Sequence, residues 1–466
     1  MVSIFWDSKS ASGESSATGD RALSWLVKLF AINGLIFVAL TSLFVLGGDT
    51  VRDAVKSTTL KATIQLRHAT YDDSWWPMLK TYEAHVANPD GDMYAVFFDN
   101  DVKYQYPPSA LLPLQLLPES MTEVAGRTEF HEGLKQALRF LSLAAVFATA
   151  LISVLILKLS LDRWAPNGAG GTTHLVGYTA LGLANALIWY PLIVGFGWGH
   201  IQVFLNLLLS LSLLAYLANR PVASGVLLGL TCLVKPHYGL LFVWGLLRRQ
   251  WSFAAALAAT GAAGTLLAVA VYGFSDHFSY VHVLSWLSQR GEVIWTNQGL
   301  NGLLHRFFEN GAAYEVAGQT QSAFPPYHRT VHVLSTLFML TILGLAFYLP
   351  QRARGTSGTT LDFATMMVAV TVASPIAWVY QYGPLLPVFA LAMAITLTSR
   401  DLPRLFVPLL AVSFLGMGHI VLKWEWIFSN PWTGVLLGSQ MFFGAMLFFG
   451  LLIYLCIRPT DVRRVA

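Results

Sequence analysis

The sequence predicts an all-α polytopic membrane protein with about twelve transmembrane helices, some of them short or broken. Three observations carry this. Of the 466 residues, 55% are hydrophobic and only 12% are charged, against about 25% charged in soluble domains. Mean hydropathy is +0.56, so water alone cannot cover the surface and lipid must take much of it. Apolar runs recur along the whole chain, with Lys and Arg gathered at alternate ends, which is the mark of repeated membrane crossing.

The elements follow in order from the placement of Lys and Arg in short loops. Residues 1–22 open polar, from Ser8 to Asp20, and read as a flexible cytoplasmic tail. A first span runs from Trp25 to Leu46, too long for the apolar core of a cleaved signal and without a small-residue cleavage site. Arg21 and Lys28 at its start put the N-terminus inside. A polar segment, residues 48–132, is then outside, and its length requires helices of its own. Spans follow at Leu138–Leu157, Thr173–Val194 and Ile201–Leu217, with Gly195–His200 as a short outer loop.

The stretch Val222–Leu247 is different. Arg220 before it and Arg248 and Arg249 after it both read as cytoplasmic, and Lys235-Pro236-His237 interrupts its middle. Proline disfavours helix in the residue before it, so two half-spans meeting near Lys235 are expected. A span at Phe253–Val271 leads to a second outer loop, residues 273–329. The remaining spans are Val331–Leu349, Phe363–Trp378, Leu385–Leu397, Leu405–Leu422 and Val435–Ile457. Arg352, Arg354, Arg400, Arg404, Arg458, Arg463 and Arg464 mark cytoplasmic ends. No internal repeat is evident, and the whole chain, 1–466, reads as one membrane domain.

Composition excludes several functions. A net charge of +4 is accounted for by span ends, so no nucleic-acid partner is expected and the surrounding partners are membrane lipids. The two cysteines, Cys232 and Cys456, sit in separate apolar runs and predict no disulfide. Walker-type GxxxxGK[ST], GxGxxG and HExxH patterns are absent, as is a Cys/His metal cluster. No cofactor and no metal are expected.

The unusual polar residues gather on the outer side. They are Asp72-Asp73 before Trp75-Trp76, Lys103 to Pro108, Trp198-Gly199-His200, Asn297-Gln298 and Ser374 to Trp378, with Lys235 approaching from mid-membrane. One outer cavity fed by these segments is expected. Asp72 or Asp73, if desolvated by the tryptophans, suits a general base, although either could equally cap a helix. Lys235 in an apolar stretch is costly unless used, and an ammonium suits a phosphate; a snorkelling lysine is the structural alternative. His200 fits an interfacial residue as well as a ligand contact. The aromatics suit sugar stacking but also any membrane interface. Tyr106-Pro107-Pro108 reads as a rigid turn that returns the loop to the membrane. A multi-span transporter or flippase would share the broken helix and the buried charge. The long first outer loop and the lack of repeat symmetry argue against it. A noncatalytic scaffold would not need Lys235.

The order and spacing of these motifs resemble glycosyltransferase family 87, whose members have the GT-C-type fold and use polyprenyl-phosphate mannose. The resemblance rests on Asp72 and Asp73, on Tyr104-Gln105-Tyr106-Pro107-Pro108, and on Gly199-His200-Ile201-Gln202 with Asn206. It continues in Gly225, Gly229 and Lys235-Pro236-His237, in Asn297-Gln298-Gly299-Leu300-Asn301, and in Ser374-Pro375-Ile376-Ala377-Trp378. Tyr380 and Gln381 stand where many relatives carry a His-His pair, so His200 or His237 is the substitute to consider. The resemblance implies transfer of mannose from a polyprenyl-phosphate donor to a glycan, glycolipid or lipid acceptor at the outer face of the cell membrane, with inversion. It implies Asp72 or Asp73 as base, with Glu83, Asp99 and Asp101 as alternatives in the same loop. Lys235, His200, His237, Tyr106, Asn297, Gln298, Trp378, Tyr380 and Gln381 would bind substrate. Lys235, with Arg290 or Arg306, would face the departing phosphate.

Overall fold

The computed structural model describes residues 23–36, 38–39, 42, 46, 73–99, 102–117, 132–164, 172–311, 324–354, 359–399, 402–418 and 431–458. The protein is an all-α polytopic membrane protein. Among the described residues the one strand-like pairing is an isolated antiparallel bridge between Asn297 and Trp378. Among the described residues, five helices are long and apolar enough to cross a bilayer: Glu132–Trp164, Trp251–Tyr272, Arg329–Pro350, Val379–Thr398 and Gln440–Ile457. A bent pair makes a sixth, and the other expected spans appear as shorter apolar helices.

Helix α1 is Leu23–Ile36. The segment between the first two spans carries α2 (Trp75–Ala87), the single-turn α3 (Ala95–Asp99) and a 3-10 helix over Pro108–Leu116. Helix α4 (Glu132–Trp164) has 33 residues, or about 50 Å at 1.5 Å per residue, well beyond the hydrocarbon core. Its interior hydroxyls bond back to their own helix, Thr149 to Ala145 O and Ser153 to Thr149 O, both at 2.8 Å.

The expected straight span at Thr173–Val194 is instead α5 (Thr172–Leu187) and α6 (Tyr190–Gly197), bent by 57°. Pro191 is the physical cause: it has no N–H to give Leu187 O and its ring would clash with that carbonyl, so one continuous helix cannot pass through it, and Trp189 takes φ −81 and ψ 113 at the break. Helix α7 is Gln202–Leu217.

The stretch around Lys235 is broken as its sequence requires. Helix α8 (Pro221–Cys232) stops, a 3-10 turn covers Pro236–Gly239, and α9 (Leu240–Leu247) follows. A helix break at membrane depth must satisfy its backbone inside the protein. Here Lys235 N donates to Thr231 O at 2.9 Å, and Ser109 Oγ donates to Leu233 O at 2.6 Å. The Pro-rich 3-10 helix therefore ties the 73–117 segment directly to the break. Helix α10 (Trp251–Tyr272) lies against α8 at close range. A Cβ at Gly225 would collide with Phe253 O, and one at Gly229 would reach Thr260 Cβ at 2.6 Å. These two glycines form a small-residue packing face.

Helix α11 (Ser275–Arg290) and the short α12 (Leu300–Phe307) follow. The remaining helices are α13 (Arg329–Arg354), α14 (Thr360–Ala373), α15 (Leu385–Thr398), α16 (Phe406–Gly418), α17 (Pro431–Leu436) and α18 (Gln440–Ile457). Where α9 meets α14, buried Arg248 donates from Nε to Asp362 Oδ2 at 2.6 Å and from Nη2 to Phe347 O at 2.8 Å. A buried guanidinium fully engaged in this way fixes the relative position of the helices it joins. Cys232 and Cys456 are not joined in a disulfide.

Candidate active site

The α2 helix begins beside the α6–α7 junction because backbone bonds sew the two together. Asp73 N donates to Trp198 O at 3.0 Å, Ser74 N to Gly199 O at 3.4 Å, and Ile201 N to Ser74 Oγ at 3.1 Å. Gly199, at φ +61, makes the turn. These bonds hold Asp73 opposite His200, with Oδ2 at 3.9 Å from Nε2.

The hydrogen bonds of His200 fix its tautomer. Gln202 N donates to Nδ1 at 2.9 Å, so Nδ1 is an acceptor and the ring proton sits on Nε2. Nε2–H then donates to the Tyr106 hydroxyl at 3.1 Å, which in turn reaches Ser74 Oγ at 3.1 Å. A histidine whose Nδ1 already accepts a backbone proton cannot act as the proton acceptor without losing that bond. Its ring also lies 3.8 Å, centroid to centroid, from Tyr380. Tyr106 is held by its own backbone, since Tyr94 OH donates to Tyr106 O at 2.7 Å and Tyr104 OH to Pro107 O at 2.9 Å. Burial raises the Tyr106 phenol well above its usual range, so it stays protonated as a hydrogen-bonding group.

Asp73, Tyr106, His200, Lys235, His237, Trp378, Tyr380 and Gln381 all line one cavity of about 390 Å³. Lys235 is buried and its ammonium lies 5.9 Å from the Tyr380 ring. In the amide orientation that satisfies both its ends, Gln381 donates to Ile376 O at 3.1 Å and accepts from Lys235 Nζ at 2.9 Å. Beside these polar groups the lining includes the apolar side chains of Val234, Leu240, Leu284, Leu287, Met339 and Leu343.

Other residues singled out in the sequence lie away from the cavity or have other partners. Asn297 and Gln298 are buried and do not line the cavity. Asn297 Nδ2 donates to Glu292 O and Pro375 O, and its Oδ1 accepts from Ala377 N and Gly299 N. Gln298 Nε2 donates to Trp295 O and Gly438 O, while its Oε1 accepts from Met441 N. Amides so fully used by backbone are braces. Arg306 likewise spends its guanidinium on the carbonyls of Val293, Ile294 and Asn297 and on Ser439 Oγ, and Arg290 stacks on Trp286 at 4.6 Å. Neither arginine lines the cavity. Trp75 packs edge-on to Phe204 and Trp76 is exposed. The Asp73 side chain is 34% exposed. Glu83 pairs with Lys80 at 2.9 Å. Asp72 and Asp101 lie outside the described residues, and Asp99 closes α3.

The structure adds one pair that the sequence did not single out. Lys103 lines the cavity and its Nζ bonds the fully buried Glu292 Oε1 at 2.9 Å. Burial raises the Glu292 carboxyl above its ordinary value, and Lys103 pulls it partly back. Only the Lys103 half was visible as an outer polar residue; Glu292 stood in a mixed-charge loop with no motif around it. No group of three or more His, Cys, Asp or Glu able to hold a metal ion occurs among the described residues.

A family model described as glycosyltransferase family 87 matches residues 104–378, more than half of the chain. No curated protein and no solved structure is significantly similar to it.

Proposed function

Because the chain belongs to glycosyltransferase family 87, we propose that it transfers a sugar from a polyprenyl-phosphate-linked donor to the hydroxyl of a glycan, glycolipid or lipid acceptor. The fold would be of GT-C type, and mannose is the sugar that the family resemblance implies. Transfer would take place at the outer face of the cell membrane. The observation that carries this is the mixed lining of one cavity. Its apolar side chains suit a polyprenyl chain, while a carboxylate, Asp73, and an ammonium, Lys235, share the same space.

In the proposed step the acceptor oxygen attacks the anomeric carbon and the carbon–oxygen bond to phosphate breaks. The phosphate leaves with the bonding pair, and the configuration inverts. Asp73 takes the acceptor proton, since a sugar hydroxyl is a poor nucleophile without a base in reach. Lys235 donates to the phosphate oxygens as charge builds on them. Gln381 holds the ammonium in place, in the position where many relatives carry histidine. His200, kept as the Nε2–H tautomer, orients the Tyr106 hydroxyl and faces Asp73. No cofactor enters the step.

The test is direct. Purified protein in lipid nanodiscs is given polyprenyl-phosphate mannose with and without candidate acceptors. Acceptor-dependent release of polyprenyl phosphate is expected. Movement of intact donor across a sealed bilayer with no release would instead indicate a flippase and end the proposal.

A further inference from the structure

Two ammonium groups line the cavity, and the fold treats them differently. Lys235 Nζ is bonded to a neutral amide, Gln381, so its charge remains available to an anion. Lys103 Nζ is bonded to a carboxylate that is fully buried, and it lies 4.1 Å from the centroid of the Trp378 ring. Much local structure is devoted to keeping Glu292 there. Glu292 N donates to Asn301 Oδ1 at 3.2 Å, and Glu292 O accepts from Asn297 Nδ2 at 2.8 Å. Gly291 precedes it at φ +67 and ψ −150, a region essentially closed to other residues, and a Cβ there would run into the Asn301 side chain. Asn297 also binds Ala377 N, and the bridge adds Gln298 N to Ala377 O at 2.8 Å and Val379 N to Thr296 O at 3.1 Å. The two sequence motifs 297–301 and 374–378 thus meet to mount Glu292 and Trp378 around Lys103.

We propose that Lys103, Glu292, Gln105 and Trp378 form a subsite for a neutral sugar ring, and that Glu292 is the specificity-determining residue that excludes phosphorylated sugars from it. The proposal rests on the glycosyltransferase reading above. In a low-dielectric wall a carboxylate at ion-pair distance cancels the net field of the ammonium, so this end of the cavity offers an anion no net attraction. The ammonium still has N–H donors beyond the one given to Glu292, which suit sugar oxygens. Gln105, on the same wall, adds an amide and itself bonds Glu292 at 3.4 Å. The donor phosphate is then drawn to Lys235 alone, and the sugar end is directed toward Lys103. Without Glu292 both ends would compete for the phosphate.

Full-length protein in nanodiscs tests this by saturation-transfer NMR, with methyl α-mannoside and mannose 6-phosphate as probes. Wild type should favour the neutral sugar. Glu292→Gln should shift the ratio of affinities toward mannose 6-phosphate by about tenfold or more, the size expected for uncovering a charge beside a close partner. An unchanged ratio in Glu292→Gln protein that still binds donor overturns the proposal. If that variant does not fold, Lys103→Gln carries the test: binding of methyl α-mannoside should fall, and unchanged binding overturns the proposal equally. Donor turnover by the wild type, with and without acceptor, is measured separately. Its absence would count against the glycosyltransferase reading, while the binding ratio stands or fails by itself. In Glu292→Gln a change in donor KM at saturating acceptor marks the subsite as holding the transferred sugar; a change confined to acceptor KM marks it as holding the acceptor sugar. Both outcomes support a neutral-sugar subsite.

Discussion

Replacing Asp73 with Asn should cut transfer while leaving the protein folded and able to bind donor. Asn keeps the size of the side chain and an oxygen facing His200, now 3.9 Å from Oδ2, but it cannot accept a proton. The Asp73 backbone bond to Trp198 O is untouched by the change, so the start of α2 should stay in place. A positioned general base is worth about 10² to 10⁴ in rate, or about 3–5 kcal/mol at 1.36 kcal/mol per tenfold. The side chain is 34% exposed, and water at a site this open can stand in for part of the base, which places the expected loss in the lower half of that range, near 10²-fold. The assay is release of polyprenyl phosphate in nanodiscs at saturating donor, beside a donor-binding measurement on the same sample. Asp72→Asn is the matched control and should stay within about threefold of wild type, because Asp73 is the carboxylate that lines the cavity. Near-wild-type transfer by Asp73→Asn, with Asp72→Asn inactive, would refute the assignment and move the base one residue back.

Lys235→Met should raise donor KM by about 10- to 100-fold, the loss of a charge-assisted bond to phosphate of about 1.5–3 kcal/mol, with expression unchanged; equal donor use per folded molecule would make Lys235 a structural residue. The preference for neutral over phosphorylated sugar should weaken on acidification, because burial raises the Glu292 carboxyl above 4.5 and its protonation leaves the Lys103 charge uncovered. The limb should lie on the high side of that value and be missing in Glu292→Gln. In stability the same raised carboxyl favours the folded state at low pH, and that contribution is lost as pH rises through the folded value. A cysteine placed at Ser120 should react with an impermeant reagent in intact cells, and reaction only after permeabilisation would put the 48–132 segment, and the cavity beside it, on the cytoplasmic face.

Much of this could be read from the sequence, and the reasons differ by element. Apolar length marked the long helices α4, α10, α13 and α18, because the bilayer imposes it residue by residue. The break at Lys235 was legible too, since proline acts on its immediate neighbour. The bend at Pro191 was missed although proline is again the cause, here through its missing N–H and its clash with the carbonyl four residues earlier: its apolar surroundings made one continuous run look like one straight span. Within the site, Asp73, His200, Lys235 and Trp378 were recognised as costly or chemically apt side chains, and they do share a cavity. Asn297 and Gln298 looked equally apt. What separates them is where their amides point, and that depends on Pro375, Ala377 and Gly438, residues 78 to 140 positions away. No local pattern carries that information.

Glu292 makes the same point from the other side. Its sequence context is an ordinary polar loop, and its carboxylate becomes distinctive only once Lys103, 189 positions earlier, reaches it across the fold. The asparagine motif beside it had seemed to be the ligand-binding element, yet each of its hydrogen bonds goes to the chain. A motif of amides with a glycine between them is what a tight backbone support requires, since amides can donate and accept at once and glycine allows the close approach. A cluster of this kind therefore points to the charged group that it holds, and here that group is one residue after Gly291, buried and bonded to the cavity-lining Lys103.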